Sequence, residues 1–320
     1  MQRPRVLIVS PASKRENNGN WQTASRWAHF LRARCRVTIA PGWDDSAPPP
    51  DLMIALHARR SAAPLAAFAA AFPDRARVLV LTGTDLYRDI ATDSAAQASL
   101  AHAQRLVLLQ ADGLAMLAPE QRARACVIHQ SARALAPFPH GAARRFIDIV
   151  MIGHLREEKD PRTFMAAAAL VTAPRARLLH IGGALDPALG ALAAATQAAT
   201  PAYRWLGALP HAATRQRLRR SHAMAIASHM EGGANVIIEA VTCGVPVLAS
   251  DISGNRGMLG DDYAGYFAPG DAPALARLIG RCIGDPAFHA LLRRQCDARA
   301  PLFAPARERA CVLDLVDNPV

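Results

Sequence analysis

Two glutamates, Glu231 and Glu239, flank a loop that begins with the glycines Gly232 and Gly233. Because glycine has no side chain, such a loop lets a ligand come close to the backbone. The run 239–250 predicts a helix, a glycine stop and a buried strand, and the helix directs its free N–H groups and positive dipole end at the loop, which suits a phosphate. Carboxylates on both sides can accept hydrogen bonds from sugar hydroxyls. The pattern predicts a nucleotide-sugar site made of Glu231, Gly232, Gly233, Ala234, Asn235, Val236 and Glu239.

A compact positive charge is the second chemical feature. Of the 37 lysines and arginines, only Lys14 and Lys159 are lysines, and an ammonium group is not equivalent to a planar guanidinium. Lys159 follows a predicted strand and is our first choice for a diphosphate contact, with Arg156 and His154 beside it. Such groups stabilise the charge that develops on a leaving diphosphate. The chain has no Asp-x-Asp sequence, so we expect no metal here.

Cationic and hydroxyl-bearing loops follow several predicted strands of the first half. Because the carboxyl ends of parallel strands meet at one edge of a sheet, we expect these loops to lie together. Arginine clusters suit phosphate-like oxyanions, which predicts a small anion or a phosphorylated molecule as the acceptor. The residues assigned to acceptor binding are Lys14, Asn17, Asn18, Gly19, Asn20, Arg59, Arg60, Thr82, Thr84, Arg88 and Arg133.

Alternating strand and helix signals must position these residues. They predict an α/β protein with parallel sheets covered on both faces. The segment 137–141 is the best linker candidate, because the alternation restarts after it, and two doubly wound halves facing across a cleft follow. We place an acceptor-binding domain at 1–140, a nucleotide-sugar-binding domain at 141–300 and a final helical segment at 301–320. The predicted strands are 5–10, 36–40, 52–56, 78–81, 106–109, 126–129, 146–152, 177–181, 203–206, 223–226 and 246–249; helices are predicted at 21–33 and, as one or two, over 286–316.

Composition limits the class of protein. Hydrophobic residues make up 51% and charged residues 20% of the 320-residue chain, which is typical of a globular protein. No run approaches 18 apolar residues, no signal-peptide pattern opens the chain, and the six cysteines form no Cys-x-x-Cys pair. We therefore expect a cytoplasmic protein without a stable membrane insertion. The net charge of +11 alone is weak evidence for a nucleic-acid partner, since no RNA-binding signature accompanies it.

The Glu-x7-Glu pattern at 231–239 resembles the motif of the GT-B glycosyltransferases, in particular retaining family 4. The resemblance continues at 153–160, 251–255 and 265–271, with His154 where the family usually has arginine. It implies two Rossmann-like domains, a C-terminal helix that crosses back onto the first domain, a UDP-sugar donor and no cofactor. It also implies donor contacts at Gly183 and Leu209, which lie in the segments 178–183 and 205–210.

Three segments of the first half, at 17–24, 56–61 and 81–87, resemble the selenosugar synthase branch of that family. This resemblance implies transfer of a sugar from a UDP-sugar, such as UDP-N-acetylglucosamine, to selenophosphate, with formation of a carbon–selenium bond in selenoneine biosynthesis. A selenolate-type nucleophile needs no strong general base. Later loss of the phosphoryl group would need a residue that activates water, for which His57 and Asp85 are the candidates.

Three other functions compete. An ordinary glycosyltransferase would use a sugar, a lipid or a sugar phosphate as acceptor, and product analysis would separate it. A UDP-sugar 2-epimerase shares the architecture and would convert a UDP-sugar without any acceptor. A nucleic-acid-binding protein would bind a random duplex with a steep dependence on salt and would not bind nucleotide sugars.

Overall fold

The computed structural model describes residues 3–13, 19–44, 46–138, 145–173 and 175–319. The described strands are β1 Arg5–Val9, β2 Arg36–Ala40, β3 Leu52–Leu56, β4 Ala76–Leu81, β5 Arg105–Leu108, β6 Ala125–Val127, β7 Ile147–Ile152, β8 Ala176–Ile181, β9 Tyr203–Trp205, β10 Ala223–Ile226, β11 Val247–Ser250 and β12 Tyr266–Phe267. The described α-helices are α1 Gly19–Leu31, α2 Ala62–Ala71, α3 Ile90–Thr92, α4 Ser94–His102, α5 Pro119–Arg122, α6 Pro161–Leu170, α7 Pro187–Ala199, α8 His211–Arg220, α9 Asn235–Val241, α10 Ser253–Leu259, α11 Ala272–Gly284, α12 Pro286–Arg299 and α13 Pro305–Asp317.

The chain forms two compact units. One consists of residues 1–131 together with 304–320, and the other of residues 132–303. The boundaries at 131/132 and 303/304 differ from the sequence-based placement at 140/141 and 300/301. Helix α13 thus belongs to the first unit.

The first unit is built on a six-stranded parallel sheet in the order β2-β1-β3-β4-β5-β6. Successive residues of its central strands enter different cores. Ile8 and Ile54 lie on one face with Trp27 of α1, whereas Leu7 and Met53 lie on the other with helices α2 and α4. Side chains point to alternate sides at each step along a strand, and both faces are buried because helices cover each of them.

Helix α13 is fixed to the first unit by a buried carboxylate. Glu308 is 1% exposed and accepts hydrogen bonds from Arg26 Nε at 2.8 Å, Trp27 Nε1 at 2.8 Å and Ser131 Oγ at 2.5 Å. The first two donors lie on α1. A buried carboxylate is tolerable only when charge and hydrogen bonds compensate it, and this one has both.

The second unit contains a six-stranded parallel sheet in the order β12-β11-β10-β7-β8-β9. Four of its helices begin with aspartate as N-cap and proline in the first two positions, at Asp160, Asp186, Asp271 and Asp285. The aspartate accepts an orphan N–H, and proline loses nothing in the first turn. Local sequence therefore sets where these helices start.

The predicted α/β class with parallel sheets is confirmed. The predicted strands agree with the observed ones to within two residues, and β12, only two residues long, was not predicted. The predicted helix at 21–33 lies at 19–31. The stretch 286–316 forms two helices, α12 and α13, separated by a 3-10 turn at Ala300–Phe303 that contains Pro301. In the described ranges, no helix combines the length and the apolar character needed to cross a bilayer.

Candidate functional site

The two sequence-predicted charges of the second unit meet at the centre of its sheet. Strands β7 and β10 are neighbours, and the chain continues from β7 to β8 on one side of this pair and from β10 to β11 on the other side. The two strands therefore form the topological switch point of the sheet. Ligands of such sheets bind outside the carboxyl ends of the strands at this point. Lys159 follows β7, Glu231 follows β10, and Lys159 Nζ lies 2.5 Å from Glu231 Oε1. Their side chains are 18% and 8% exposed, so the ion pair is largely screened from water.

Glu231 is held by a polar network. The oxygen that contacts Lys159 also accepts a hydrogen bond from Ser228 Oγ at 2.6 Å. Ser250 Oγ donates to the Ser228 carbonyl at 2.6 Å, and Asn255 Nδ2 donates to the Ser250 carbonyl at 2.8 Å. The backbone at Gly254 comes so close that a Cβ there would lie 2.0 Å from the Glu231 carbonyl oxygen. The position of this carboxylate is therefore fixed before any ligand arrives.

Glu239 lies on α9 and is paired with a residue that the sequence did not single out. His211 Nε2, at the start of α8, lies 2.6 Å from Glu239 Oε1. The Glu239 side chain is 13% exposed and that of His211 59%. The hydrogen bond to Glu239 raises the pKa of His211 above its usual value. A ligand hydroxyl that binds Glu239 must share the carboxylate with this imidazole.

The loop between the two acids packs closely. Gly232 and Ala234 are buried, whereas Gly233, Asn235 and Val236 are half-buried. Ala234 occupies the N-cap position of α9 and offers no side-chain cap to the first turn.

The remaining predicted donor residues follow the neighbouring strands β7, β8 and β9. His154 Nδ1 accepts a hydrogen bond from the Gly183 N–H at 3.0 Å, which joins the ends of β7 and β8. Arg156 is exposed in the same loop. Leu209 is half-buried, and its carbonyl accepts from the Thr214 hydroxyl at 3.5 Å.

In the first unit, the loops after β3 and β4 come together as predicted, since these strands are neighbours. His57 takes a left-handed backbone conformation with φ of 74° and is 4% exposed. Its Nε2 lies 3.2 Å from Thr84 Oγ1. Burial lowers the pKa of His57, although the nearby Asp85 acts in the opposite direction. A neutral imidazole is therefore favoured near neutral pH.

Asp85 is completely buried and serves the backbone. Its carboxylate accepts N–H groups from Ala58 at 2.9 Å, Thr82 at 2.9 Å and Gly83 at 2.8 Å. Three such bonds use most of the acceptor capacity of a carboxylate. Asp85 thus fixes the shape of both loops.

An arginine pair converges on Asp89 beside these loops. Arg59 Nε lies 2.9 Å and Arg88 Nε 3.2 Å from its carboxylate. Burial would raise the pKa of Asp89, but the hydrogen bonds and charges of the two arginines outweigh it and lower the pKa. Arg59 and Arg88 keep 43% and 53% of their side chains exposed, and Arg60 is exposed as well. This edge therefore presents guanidinium groups to solvent.

The other predicted acceptor residues are placed differently. Lys14, Asn17 and Asn18 lie outside the described residues. Gly19 and Asn20 form the first two positions of α1. Arg133 belongs to the second unit, where its carbonyl accepts a hydrogen bond from Arg215 Nη2 at 2.9 Å.

One cluster in the described part of the chain has the composition of a metal site: His222, Cys282 and His289. Its imidazole rings stack at 4.0 Å with planes 16° apart. Because a metal binds in the plane of each imidazole, two nearly parallel rings cannot both ligate one ion without unstacking. His222 directly precedes β10, at the sheet edge opposite the Lys159–Glu231 pair. The cluster is best described as packing.

Ser228 and His211 contact the two predicted acids and were not predicted. Ser228 stands three positions before Glu231, so the end of β10 could have suggested it. His211 lies 28 positions from Glu239 and joins it only through the packing of α8 beside α9.

Comparison with known proteins agrees with this arrangement. D-inositol 3-phosphate glycosyltransferase of Streptosporangium roseum is 26% identical over 198 residues, which cover 56% of this chain and 46% of that protein. The chain spans less than half the length of the curated relatives it matches. The solved structure of Anabaena HepE in complex with UDP and glucose superposes with a TM-score of 0.79 at 16% identity, covering 98% of this chain and 99% of that chain. Sucrose-phosphate synthase of Thermosynechococcus elongatus gives 0.79 at 17% identity, with 99% of each chain covered.

These superpositions confirm the predicted GT-B fold. The family model of the glycosyl transferases group 1 matches residues 133–302, more than half of the chain, and this stretch contains both predicted acids and Lys159. The chain belongs to the glycosyl transferases group 1 family.

Proposed function

We propose that this protein transfers a sugar from a UDP-sugar, such as UDP-N-acetylglucosamine, to an anionic acceptor, with selenophosphate as the first candidate. The observation that carries the proposal is the Lys159–Glu231 pair at the switch point of the second sheet. A fixed cation and a fixed carboxylate lie side by side where such sheets bind ligands. The cation suits the diphosphate of a nucleotide sugar, and the carboxylate suits the hydroxyls of its sugar.

Each donor group has a role in this proposal. Lys159, with Arg156 and His154 from the same loop, binds the diphosphate and stabilises the charge that grows on UDP as it leaves. Glu231 accepts hydrogen bonds from the transferred sugar, and Glu239 accepts them from the ribose hydroxyls in exchange for His211. Because the cation is already oriented by Glu231 and the carboxylate by Ser228, little reorganisation is needed when the donor binds.

Exposed arginines of the first unit support the proposal that the acceptor is anionic. The exposed guanidinium groups of Arg59, Arg60 and Arg88 suit an oxyanion. In the proposed step, a selenium lone pair attacks the anomeric carbon, the carbon–selenium bond forms, and the carbon–oxygen bond to UDP breaks with the electron pair leaving on UDP. Selenium itself is suggested by the resemblance of the first-half segments to selenosugar synthases.

Loss of the phosphoryl group is a separate step. Water adds to phosphorus, the selenium–phosphorus bond breaks, and phosphate and a selenosugar result. His57, neutral and beside Thr84, is the group proposed to take the proton from water. Asp85 supports it by fixing the loop.

The test is mass spectrometry of the products from purified protein, UDP-N-acetylglucosamine and anaerobically prepared selenophosphate, with phosphate and thiophosphate as alternative acceptors. We expect UDP and a selenium-containing sugar. Arg59→Gln should raise the KM for the acceptor without changing that for the donor. Arg34→Gln is the control, because it removes a similarly exposed arginine of the same unit that pairs with an aspartate at 2.8 Å, close to the 2.9 Å between Arg59 and Asp89. Donor binding without any selenium product would refute selenophosphate as acceptor.

The second candidate is an ordinary glycosyltransferase whose acceptor is a sugar phosphate or a related phosphorylated molecule. It is favoured by the name of the sequence relatives, which specifies an inositol phosphate. The same guanidinium groups would bind its phosphate. Including D-inositol 3-phosphate in the product assay distinguishes the two, since only one acceptor should be consumed.

A further inference from the structure

A buried histidine lies beneath the loop that carries Lys159. His180 is the fifth residue of β8 and is completely buried. Its Nδ1 lies 2.9 Å from the Tyr203 hydroxyl on β9, and its Nε2 lies 3.3 Å from the carbonyl oxygen of Gly153, the residue that follows β7. The ring thus connects three neighbouring strands at the edge where the donor site is built.

The direction of these hydrogen bonds follows from the chemistry of the groups. A carbonyl oxygen only accepts, so His180 Nε2 carries the proton, and the neutral ring accepts at Nδ1 from the Tyr203 hydroxyl. Burial lowers the pKa of His180 to about 4 and raises the pKa of Tyr203 well above its usual value. Both groups are therefore neutral at the pH of ordinary assays, and Tyr203 determines which ring nitrogen faces Gly153.

Gly153 is constrained from a second side. A Cβ on Gly182 would lie 1.9 Å from the Gly153 carbonyl oxygen, so the two backbones are in direct contact. Trp205 Nε1 donates to the Gly182 carbonyl at 2.8 Å and thereby fixes Gly182 in turn. The peptide unit that opens the donor loop is held between a backbone and an imidazole.

We infer that His180 is a positioning residue of the donor site: its imidazole, oriented by Tyr203, fixes the Gly153 carbonyl and with it the loop that carries His154 and Lys159. The inference rests on the proposed function, because it assigns that loop to the donor diphosphate. His180 itself touches no substrate. Its effect is to keep Lys159 in place when UDP binds.

Calorimetric titration with UDP tests the inference. His180→Leu removes the donor to Gly153 and leaves a buried carbonyl unpaired, so UDP should bind on the order of tenfold more weakly. His180→Gln places an N–H near the same carbonyl and should restore most of the affinity. Hydrogen exchange of the amides at 153–159 should accelerate in the leucine variant and return toward the wild-type rate in the glutamine variant.

Two matched controls separate positioning from a general loss of packing. His222→Leu removes another imidazole whose Nε2 contacts a backbone carbonyl, that of Cys282 at 2.9 Å, at the opposite edge of the same sheet. Tyr263→Phe removes a buried hydroxyl bound to Val247 and matches Tyr203→Phe. Both controls should leave the affinity for UDP and the exchange rates at 153–159 unchanged.

The outcomes are distinct. If wild-type protein binds UDP and folded His180→Leu binds it equally well with unchanged exchange, the inference is wrong. If His180→Leu does not fold, Tyr203→Phe is compared with Tyr263→Phe by UDP affinity and by hydrogen exchange at 153–159. The inference is then wrong if the two variants give the same results. Absence of UDP binding by the wild-type protein would refute the proposed function, whereas the exchange measurement would still show whether His180 orders the loop.

Discussion

The Lys159–Glu231 pair gives the sharpest prediction, because its contributions to stability and to activity should separate. Lys159→Met removes the charge with little change in shape and leaves Glu231, only 8% exposed, with Ser228 as its remaining side-chain partner in the network described above. Breaking a buried ion pair from one side costs roughly 3–5 kcal/mol. Because Lys159 is 18% exposed and water relieves part of the penalty, we expect a loss near the lower value, about 3 kcal/mol.

The double variant distinguishes the two effects. Glu231→Gln alone leaves an unpaired ammonium group and should also destabilise the protein. Lys159→Met combined with Glu231→Gln leaves no uncompensated charge, so its loss of stability should be clearly smaller than the sum of the single losses. The activity of all three variants should fall by a factor of roughly 100 or more, since each lacks a group that stabilises the departing diphosphate or holds the sugar.

The measurements are urea unfolding for stability and UDP release for activity. If both single variants keep the wild-type free energy of unfolding, the ion pair does not form in solution. Recovery of activity in the double variant would refute the assignment of Lys159 to the diphosphate, because only a structural role could be restored in that way.

Three further perturbations test other parts of the site and fold. Gly254→Ala should lower the activity and, in a thermal scan, the stability, because its Cβ would collide with the Glu231 backbone. In the same scan, the control Gly280→Ala, in open space on α11, should stabilise the protein by up to about 1 kcal/mol. The KM for the UDP-sugar should fall as pH rises through the raised pKa of His211, because protonated His211 competes with ribose for Glu239. His211→Gln should remove this dependence of KM on pH, whereas His29→Gln, at an exposed histidine, should leave it unchanged. In urea unfolding, Glu308→Gln should lower the free energy of unfolding by about 3 kcal/mol, because it weakens the buried contacts between α13 and α1. Asp317→Asn, in an exposed pair, should lower it by less than about 1 kcal/mol. Equal losses in the two variants would contradict the importance of burial.

Most of the fold could be predicted from the sequence, for physical reasons visible in particular elements. Strands such as β3 and β10 are buried on both faces and appear as short apolar runs. Helices α6, α7, α11 and α12 start where aspartate and proline stand together. The two-residue β12 carries too little periodicity to be recognised, and it pairs only at the end of β11.

The residues of the candidate site could be identified from the sequence where they stand in a short local pattern. Glu231, Glu239 and Lys159 stand in short segments with glycine or charge signals, and the structure brings Lys159 to Glu231 across 72 positions of sequence. The partners that lie far from these groups in sequence were not predictable. His211 meets Glu239 through the packing of two helices, and a buried histidine such as His180 resembles any core residue of a strand until its hydrogen bonds are known.

The most direct test of the donor site is a crystal structure of the protein with UDP. The diphosphate should contact Lys159 Nζ, and the ribose hydroxyls should replace or share the contact of His211 with Glu239. UDP bound away from Lys159 and Glu239 at full occupancy would contradict the assignment of the donor site and, with it, the proposed function.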